Sequence, residues 1–355
     1  MHRYQSGIAL ITVLLILSLA TVAAVAMTTR QQLDIRRTTN ILKIEEGYVA
    51  LLAAEEFAKR LLLADFREIP GLSNRINTTT DGFGDIWYNP QLGSAKQEIG
   101  NFTVTNFKFI DLQGRFNINN LLDANQALSQ NDYAAFQRLL DNNALPRSLT
   151  DVALDWMDAN TDAVNNNGAE DSAYQSLAKP YIPPNQPMTS ASEMFRLMGV
   201  NLAGSDDSDR SNKKRREIIG NLLHEENNEA LTALPGRTTI NVNTVSSPAV
   251  YQSIVPGLAF DDAEALVGLT NIAPGKAPPF ENADDFWNEP AVKPLLAKIA
   301  QNQRIQIGVT SEYFLFQAEA ISGDLVVYSN TIFHRTASPP SVEVIHRSYG
   351  KKGEI

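Results

Sequence analysis

Residues 7–27, GIALITVLLILSLATVAAVAM, set the strongest constraint on this chain. Ile8 to Met27 is an unbroken run of 20 residues without a charge, and only Thr12, Ser18 and Thr21 in it are notably polar. A helix of that length is about 30 Å long, the hydrocarbon thickness of a bilayer. The run therefore reads as a membrane helix. It is longer than the apolar core of a cleaved signal peptide and passes into a helical pattern instead of a small-residue cleavage site. His2 and Arg3 precede it, which favours a start in the cytoplasm and the remainder outside.

Beyond Met27 apolar residues keep helical spacing at Leu33, Ile41, Leu42, Ile44, Val49, Leu52, Ala53, Phe57, Leu61 and Leu62. One helix is thus expected from Ile8 to about Phe66, with a possible bend at Gly47, closed by Pro70 and Gly71. From Phe102 the period changes to two: FTVTNFKF and RFNI read as a hairpin across a Gln113-Gly114 turn. A mostly helical stretch from Leu121 to Gln301 follows, broken by YIPPNQP, GSDDSD and APGKAPPF. Strand pattern returns at RIQIGV, YFLFQAEAI and LVVYSNTIFHR, the last two joined by SGD. Strands separated in this way imply an α+β domain with an inserted α-helical domain.

The 355 residues leave room for one large or two ordinary domains beside the membrane helix. No cysteine occurs, which excludes disulfides, thiolate metal sites and a thiol nucleophile. The net charge of −10 argues against a nonspecific grip on nucleic acid. His2, His224, His334 and His346 stand in no metal or triad spacing, and there is no phosphate-binding or dinucleotide fingerprint, so the chain does not read as an enzyme.

Together these residues resemble a type IV pilin-like subunit: a short basic leader ending in Gly7, an apolar helix from the next residue, an amphipathic continuation and an antiparallel sheet. DLQGRFNINNLL (111–122), DWMDANTD with GAEDSAY (155–174) and TTINVNTVSSPAV (238–250) narrow the resemblance to the minor pseudopilin K family of the type II secretion system. The resemblance implies a type IV pilin-like fold with a large helical insertion, and a division into five parts. Residues 1–7 would be leader, 8–66 the spine helix (8–27 transmembrane), and 67–120 the first part of the pilin-like domain. Residues 121–301 would be the insertion and 302–355 the remaining strands and tail. It also implies cutting after Gly7 and methylation of Ile8 by a prepilin peptidase, and minor pseudopilins I and J and an inner-membrane assembly platform as partners. Membrane lipid would surround the anchor, and the C-terminal domain would stand in the periplasm at the pseudopilus tip. Most pilin-like subunits carry Glu at the fifth mature position, thought to pair with the amino terminus of the neighbour above; here it is Thr12, as suits a subunit with nothing above it.

Asp158, Asn160 and Asp162 stand at the opening spacing of an EF-hand loop. The match then fails, with Ala163 at position six and Ala169 at position twelve. The segment reads either as a solvated Asn/Asp turn or as a different calcium loop completed by Glu170 and Asp171; the resemblance implies structural calcium. Asp206, Asp207 and Asp209 beside Lys213, Lys214, Arg215 and Arg216 read as a second cation site, a phosphate contact or a self-compensating linker. Residues 238–300 resemble a helix-hairpin-helix unit of DNA-uptake proteins, with FNINNLL (116–122) as a degenerate second copy. From Ile240 to Ala300, Lys276, Lys293 and Lys298 face seven carboxylates, a balance of −4 that repels phosphate. A packing or protein-contact module is therefore favoured over a DNA-binding component, and no nucleic acid is expected.

Overall fold

The computed structural model describes residues 6–65, 80–200, 210–224 and 229–350. It opens with α1 (Ser6–Ala64), a single helix of 59 residues. Within it lies one stretch long and apolar enough to cross a membrane, none of it buried against the rest of the protein. The helix runs straight through Gly47 in its hydrogen bonding. A side chain there would come within 2.9 Å of Val327 and 3.1 Å of Phe102, so Gly47 is where the spine closes on the sheet. Phe66, the expected end of the helix, lies outside the described residues.

The buried face of α1 matches only in part the apolar set that helical spacing singles out: Leu62 is buried and Leu61 half-buried, but most of the rest is not. Ala50, Leu51, Ala54, Ala58 and Leu62 are buried, whereas Val49 is 63% and Phe57 40% exposed. The sheet approaches closely, so small residues are needed beneath it and the larger side chains remain outside. Leu51 and Leu62 each contribute roughly 1.5–3 kcal/mol by burial. Glu55, also buried, accepts from Arg347 Nε at 2.7 Å and Nη2 at 2.6 Å and from Thr331 Oγ1 at 3.1 Å.

From Thr80 onward come a short helix α2 (Pro90–Ser94) and strands β1 (Gln97–Ile99) and β2 (Phe102–Asp111). The insertion then contributes β3 (Phe116–Asn117), α3 (Gln130–Asn142), α4 (Leu149–Met157), α5 (Asp171–Gln175) and α6 (Arg210–His224). It continues through β4 (Leu231–Thr232), β5 (Ile240–Asn241), α7 (Pro248–Ile254), α8 (Phe260–Thr270), α9 (Ala283–Trp287) and α10 (Lys293–Leu296). After β6 (Ile307–Gly308) the chain returns as β7 (Tyr313–Ser322), β8 (Leu325–Ala337) and β9 (Pro340–Gly350).

The main sheet is antiparallel, in the order β1-β2-β7-β8-β9, and α1 lies across one face. The SGD turn joins β7 to β8, with Ser322 opposite Leu325. The hairpin expected at Gln113-Gly114 does not form. Leu112–Gly114 is instead a 3-10 turn capped by Asp111, and it sends β3 away to pair in parallel with β4. A side chain at Gly114 would meet Thr244 O at 2.2 Å, so this turn is pressed against the insertion and cannot fold back on β2. The parallel pairs β3 with β4 and β5 with β6 place short strands inside and at the edge of a stretch that reads as helical.

Where the parts meet, the core is polar. Asp111 Oδ2 accepts from Ser311 Oγ at 2.5 Å, Thr244 Oγ1 at 2.6 Å and Asn241 Nδ2 at 3.1 Å, joining β2, the insertion and the approach to β7. Burial pushes this carboxyl above its usual range. Nearby, Arg335 of β8 is 1% exposed and donates to Asp65 at 2.9 Å, Asp81 at 2.5 Å and Ser311 O at 2.8 Å. Its guanidinium lies 4.5 Å from the Phe314 ring centre. Replacing Arg335 by Met takes the guanidinium away from two buried carboxylates and is expected to cost about 3–5 kcal/mol in urea unfolding, part of which Asp65→Asn restores.

Candidate functional site

The inserted domain contains the same structural sentence twice. Asn117 Oδ1 accepts from Asn119 N at 3.2 Å, and Asn241 Oδ1 accepts from Asn243 N at 3.0 Å. Asn119 then pairs with the backbone of Met188, both bonds 2.9 Å, as Asn243 pairs with that of Phe280 at 3.2 and 2.9 Å. Each returning segment enters a short helix through a capping box, Ser190 with Glu193 and Asn282 with Asp285. Helices stand between: α3, α4 and the short α5 in the first unit, α7 and α8 in the second. Arg138 of α3 donates twice to Ser253 O of α7, at 2.9 and 2.7 Å, and holds the units together.

The units differ in one respect. From α8 to Phe280 the chain needs only residues 271–279, but from α4 to Met188 it takes residues 158–187. That excess is where the carboxylates collect. Asp151, Asp155 and Asp158 follow at spacings of four and three, on one side of α4 and its end. Asp151 is satisfied by Tyr133 Oη at 2.7 Å, Asn165 at 3.0 Å and Asn167 at 3.3 Å. Asp155 Oδ1 accepts from Val164 N at 2.9 Å, but its Oδ2 has no partner. Asp158 Oδ1, both oxygens of Glu170 and Asp171 Oδ1 are likewise buried without a partner.

Burial first, and the surrounding carboxylates after it, push Glu170 up to about 7. Asp155 is pushed up to about 6 and Asp158 upward, again chiefly by burial. Several buried carboxylate oxygens left without a hydrogen bond, and set close to one another, suit a hard divalent cation such as calcium. No three of these groups lie within 4.8 Å of one another, as those of Asp65, Asp81 and Asp85 do. In that tighter trio Arg335 is paired with Asp65 and Asp81, and Asp85 accepts from Gly82 N at 2.8 Å.

Of the residues expected from sequence, Asp158, Glu170 and Asp171 come together here. Asp162 is exposed but near enough to act on Glu170. Asn160 is exposed and spends its Oδ1 on Asp162 N at 2.7 Å, an Asx turn. Asp206, Asp207 and Asp209 lie outside the described residues. Asp155 and Gly168 were missed. A side chain at Gly168 would meet Asp155 Oδ2 at 2.1 Å, which makes it the glycine this loop requires in place of the EF-hand's sixth position. The helical spacing of Asp155 and Asp158 was the available signal. The loop is held by Trp156, packed edge-on to Tyr174 and Tyr181, with its Nε1 donating to Glu193 at 2.9 Å.

The hairpin of the second unit turns at Pro256-Gly257, where Gly257 has φ +81°. Its following helix begins with Asp261 and Asp262, both exposed, with Glu264 exposed behind them. Three carboxylates at this position oppose a phosphate backbone.

The family model for type II secretion system protein K matches residues 114–205, the first unit with its carboxylate loop. Type II secretion system protein K of Pseudomonas aeruginosa is 29% identical over 91% of this chain and 87% of its own length. That of Pectobacterium carotovorum is 27% identical over 99% and 98%. Among solved structures, a chain of the GspK-GspI-GspJ complex from enterotoxigenic Escherichia coli superposes with a TM-score of 0.68 at 18% identity, covering 89% of this chain and 100% of that one. A long N-terminal helix, a small antiparallel sheet and a large helical insertion make up an α+β fold of the type IV pilin-like kind. In sequence and in fold the chain resembles the type II secretion system protein K family.

The raised carboxyls fix a pH dependence. Without metal the native protein keeps protons on Asp155 and Glu170 that the unfolded chain, with Glu at 4.5, has already released. Stability is therefore greatest below the unfolded values and is lost as pH rises through about 6 to 7. In chelator, the urea midpoint is expected to fall from pH 4.5 to 7.5, and Asp155→Asn with Glu170→Gln to flatten that fall.

Proposed function

We propose that this chain is a minor pseudopilin at the tip of the type II secretion pseudopilus, where it nucleates assembly for protein export across the outer membrane. The contrast along α1 carries this conclusion. Ile8 to Lys43 is exposed throughout, whereas from Gly47 onward the helix is clasped to its own sheet. An apolar spine left bare needs a bilayer or other spines. Exposed Ile35, Leu42, Val49 and Phe57 extend the apolar surface past the membrane run and suit contact with a neighbouring helix. The protein would be anchored once in the bacterial inner membrane, with its C-terminal domain in the periplasm, and raised by the assembly platform.

Thr12 supports the terminal position. Its hydroxyl donates to Ala9 O at 2.9 Å and is satisfied within its own helix, whereas a carboxylate there needs a positive partner from above. The related complex joins GspK to GspI and GspJ, and minor pseudopilins I and J are the partners proposed for this chain. Processing would cut between Gly7 and Ile8. Asp155, Asp158, Glu170 and Asp171 would hold calcium, with Asp162 and Asn160 at the rim. Bound calcium supplies the positive charge that four crowded carboxyls lack, and so stiffens the loop.

The mass of the N-terminal peptide from native membranes tests the pathway: N-methylated Ile8 is expected, and a chain still starting at Met1 despite active prepilin peptidase would sink it. Melting the protein with calcium and with chelator tests the metal. Calcium is expected to raise the midpoint by several degrees at pH 7.5, and Asp155→Asn to remove most of the rise; equal midpoints in the unaltered protein would rule out structural calcium.

A further inference from the structure

Residues 28–44 of α1 follow the apolar run and, up to Lys43, touch nothing in the described structure. They hold Arg30, Arg36, Arg37 and Lys43 against one carboxylate, Asp34, and all five side chains are exposed. On the other side of the run Arg3 belongs to the segment that the proposed processing would remove. In the orientation proposed above, this excess stands on the outer side of the membrane, where Lys and Arg are ordinarily disfavoured. Their placement there calls for an anionic counterpart close to the bilayer.

We propose that Arg30, Arg36 and Arg37 form a collar that binds the phosphates of anionic phospholipids and sets the depth of the spine in the membrane. This rests on the assignment of residues 8–27 as a membrane span. At about 1.5 Å per residue, Arg30 stands about 5 Å beyond Met27, within a headgroup layer about 5–8 Å thick. Arg36 and Arg37 stand about 14–15 Å out. Their long stems fold back toward the surface, and the field of anionic lipid reaches a further Debye length of about 8 Å. Arg30 and Arg37, seven residues apart, share one side of the helix, and Arg36 lies about 100° round from Arg37, so more than one lipid is gripped. The guanidinium fork matches phosphate oxygens in pairs. Free phosphate would gain nothing from the apolar run beside the collar, which makes the lipid headgroup the ligand. Lys43, about 24 Å from Met27, is beyond reach and serves as the control.

The full chain would be reconstituted in vesicles of equimolar phosphatidylglycerol and phosphatidylethanolamine, re-extracted in mild detergent, and its retained lipid counted by mass spectrometry. Retained phosphatidylglycerol is expected to exceed its bulk share several-fold, less so at high salt. The enrichment should vanish in the triple variant Arg30→Gln/Arg36→Gln/Arg37→Gln and persist in Lys43→Gln. Gln is a good helix former and these side chains pack on nothing, so the variants retain the helix, which circular dichroism checks. Retained lipid in the bulk ratio would overturn the collar, as would enrichment that survives the triple variant; the latter would point to the carboxylate of a neighbouring spine as the arginines' partner. A chain that does not float with vesicles at all would instead defeat the membrane-span assignment, a separate failure.

Discussion

A few buried polar groups decide how the three parts of this molecule are held. Asp111, at the end of β2, gathers donors from Asn241 and Thr244 of the insertion and from Ser311 before β7. Asn241 also donates to Asp81 O, and Asp81 shares Arg335 with Asp65 at the end of α1. The spine, the sheet and the insertion therefore close on one another through a single run of side chains. An apolar joint of the same area would gain similar burial energy but would allow sliding, since apolar contact has no direction. Charged groups this deep are expensive unless every partner is present, and the cost makes the joint all-or-none. That property suits a subunit whose large domain must stand in a fixed direction on its helix.

The two Asn-bearing units follow the same logic in a neutral form. Each uses an Asn to imitate a backbone edge, Asn119 for Met188 and Asn243 for Phe280, and so seats a returning segment without a strand. Such a clasp is short and leaves the connecting loop free to vary. In the second unit that loop is tight and lies against the pilin-like part, with Gly275 N donating to Gly84 O at 2.7 Å. In the first it has lengthened into residues 158–187 and carries the bare carboxylates. The clasp and the charged loop are thus separable in space: the hydrogen bonds of the clasp involve no carboxylate of the loop, while the loop is left with repulsion to relieve.

Much of this could be read from the chain. A long uncharged run, the strand pattern of YFLFQAEAI and the SGD turn depend on local chemistry, and the structure agrees with each. The failures share a cause. RFNI looks like the second arm of a hairpin because its pattern is right, but Gly114 is pressed on Thr244, far away in sequence, and the strand is taken elsewhere. Leu52, Val49 and Phe57 look like a buried face because they are large, yet the close approach at Gly47 selects Ala50, Ala54 and Ala58. At the candidate metal loop, reading along the sequence as though it were an EF-hand directed attention to Asn160 and past Asp155. The helix before the loop, not the loop alone, supplies the groups that meet Glu170.

The acidic helices of the second unit show how one scaffold can be turned from one use to another. A hairpin between two helices presents backbone N–H groups and a positive helix end, which suit phosphate when Lys or Arg stand nearby. Here Asp261 and Asp262 occupy the first turn of α8, and Asp284 and Asp285 that of α9, where Asp285 closes a capping box. These carboxylates stabilise the helix ends that they occupy, each by roughly 0.3–1 kcal/mol through the dipole. By filling those positions they also present negative charge exactly where a phosphate would have to approach. The same carboxylates that stabilise the helix ends of this module thus set negative charge beside its hairpin.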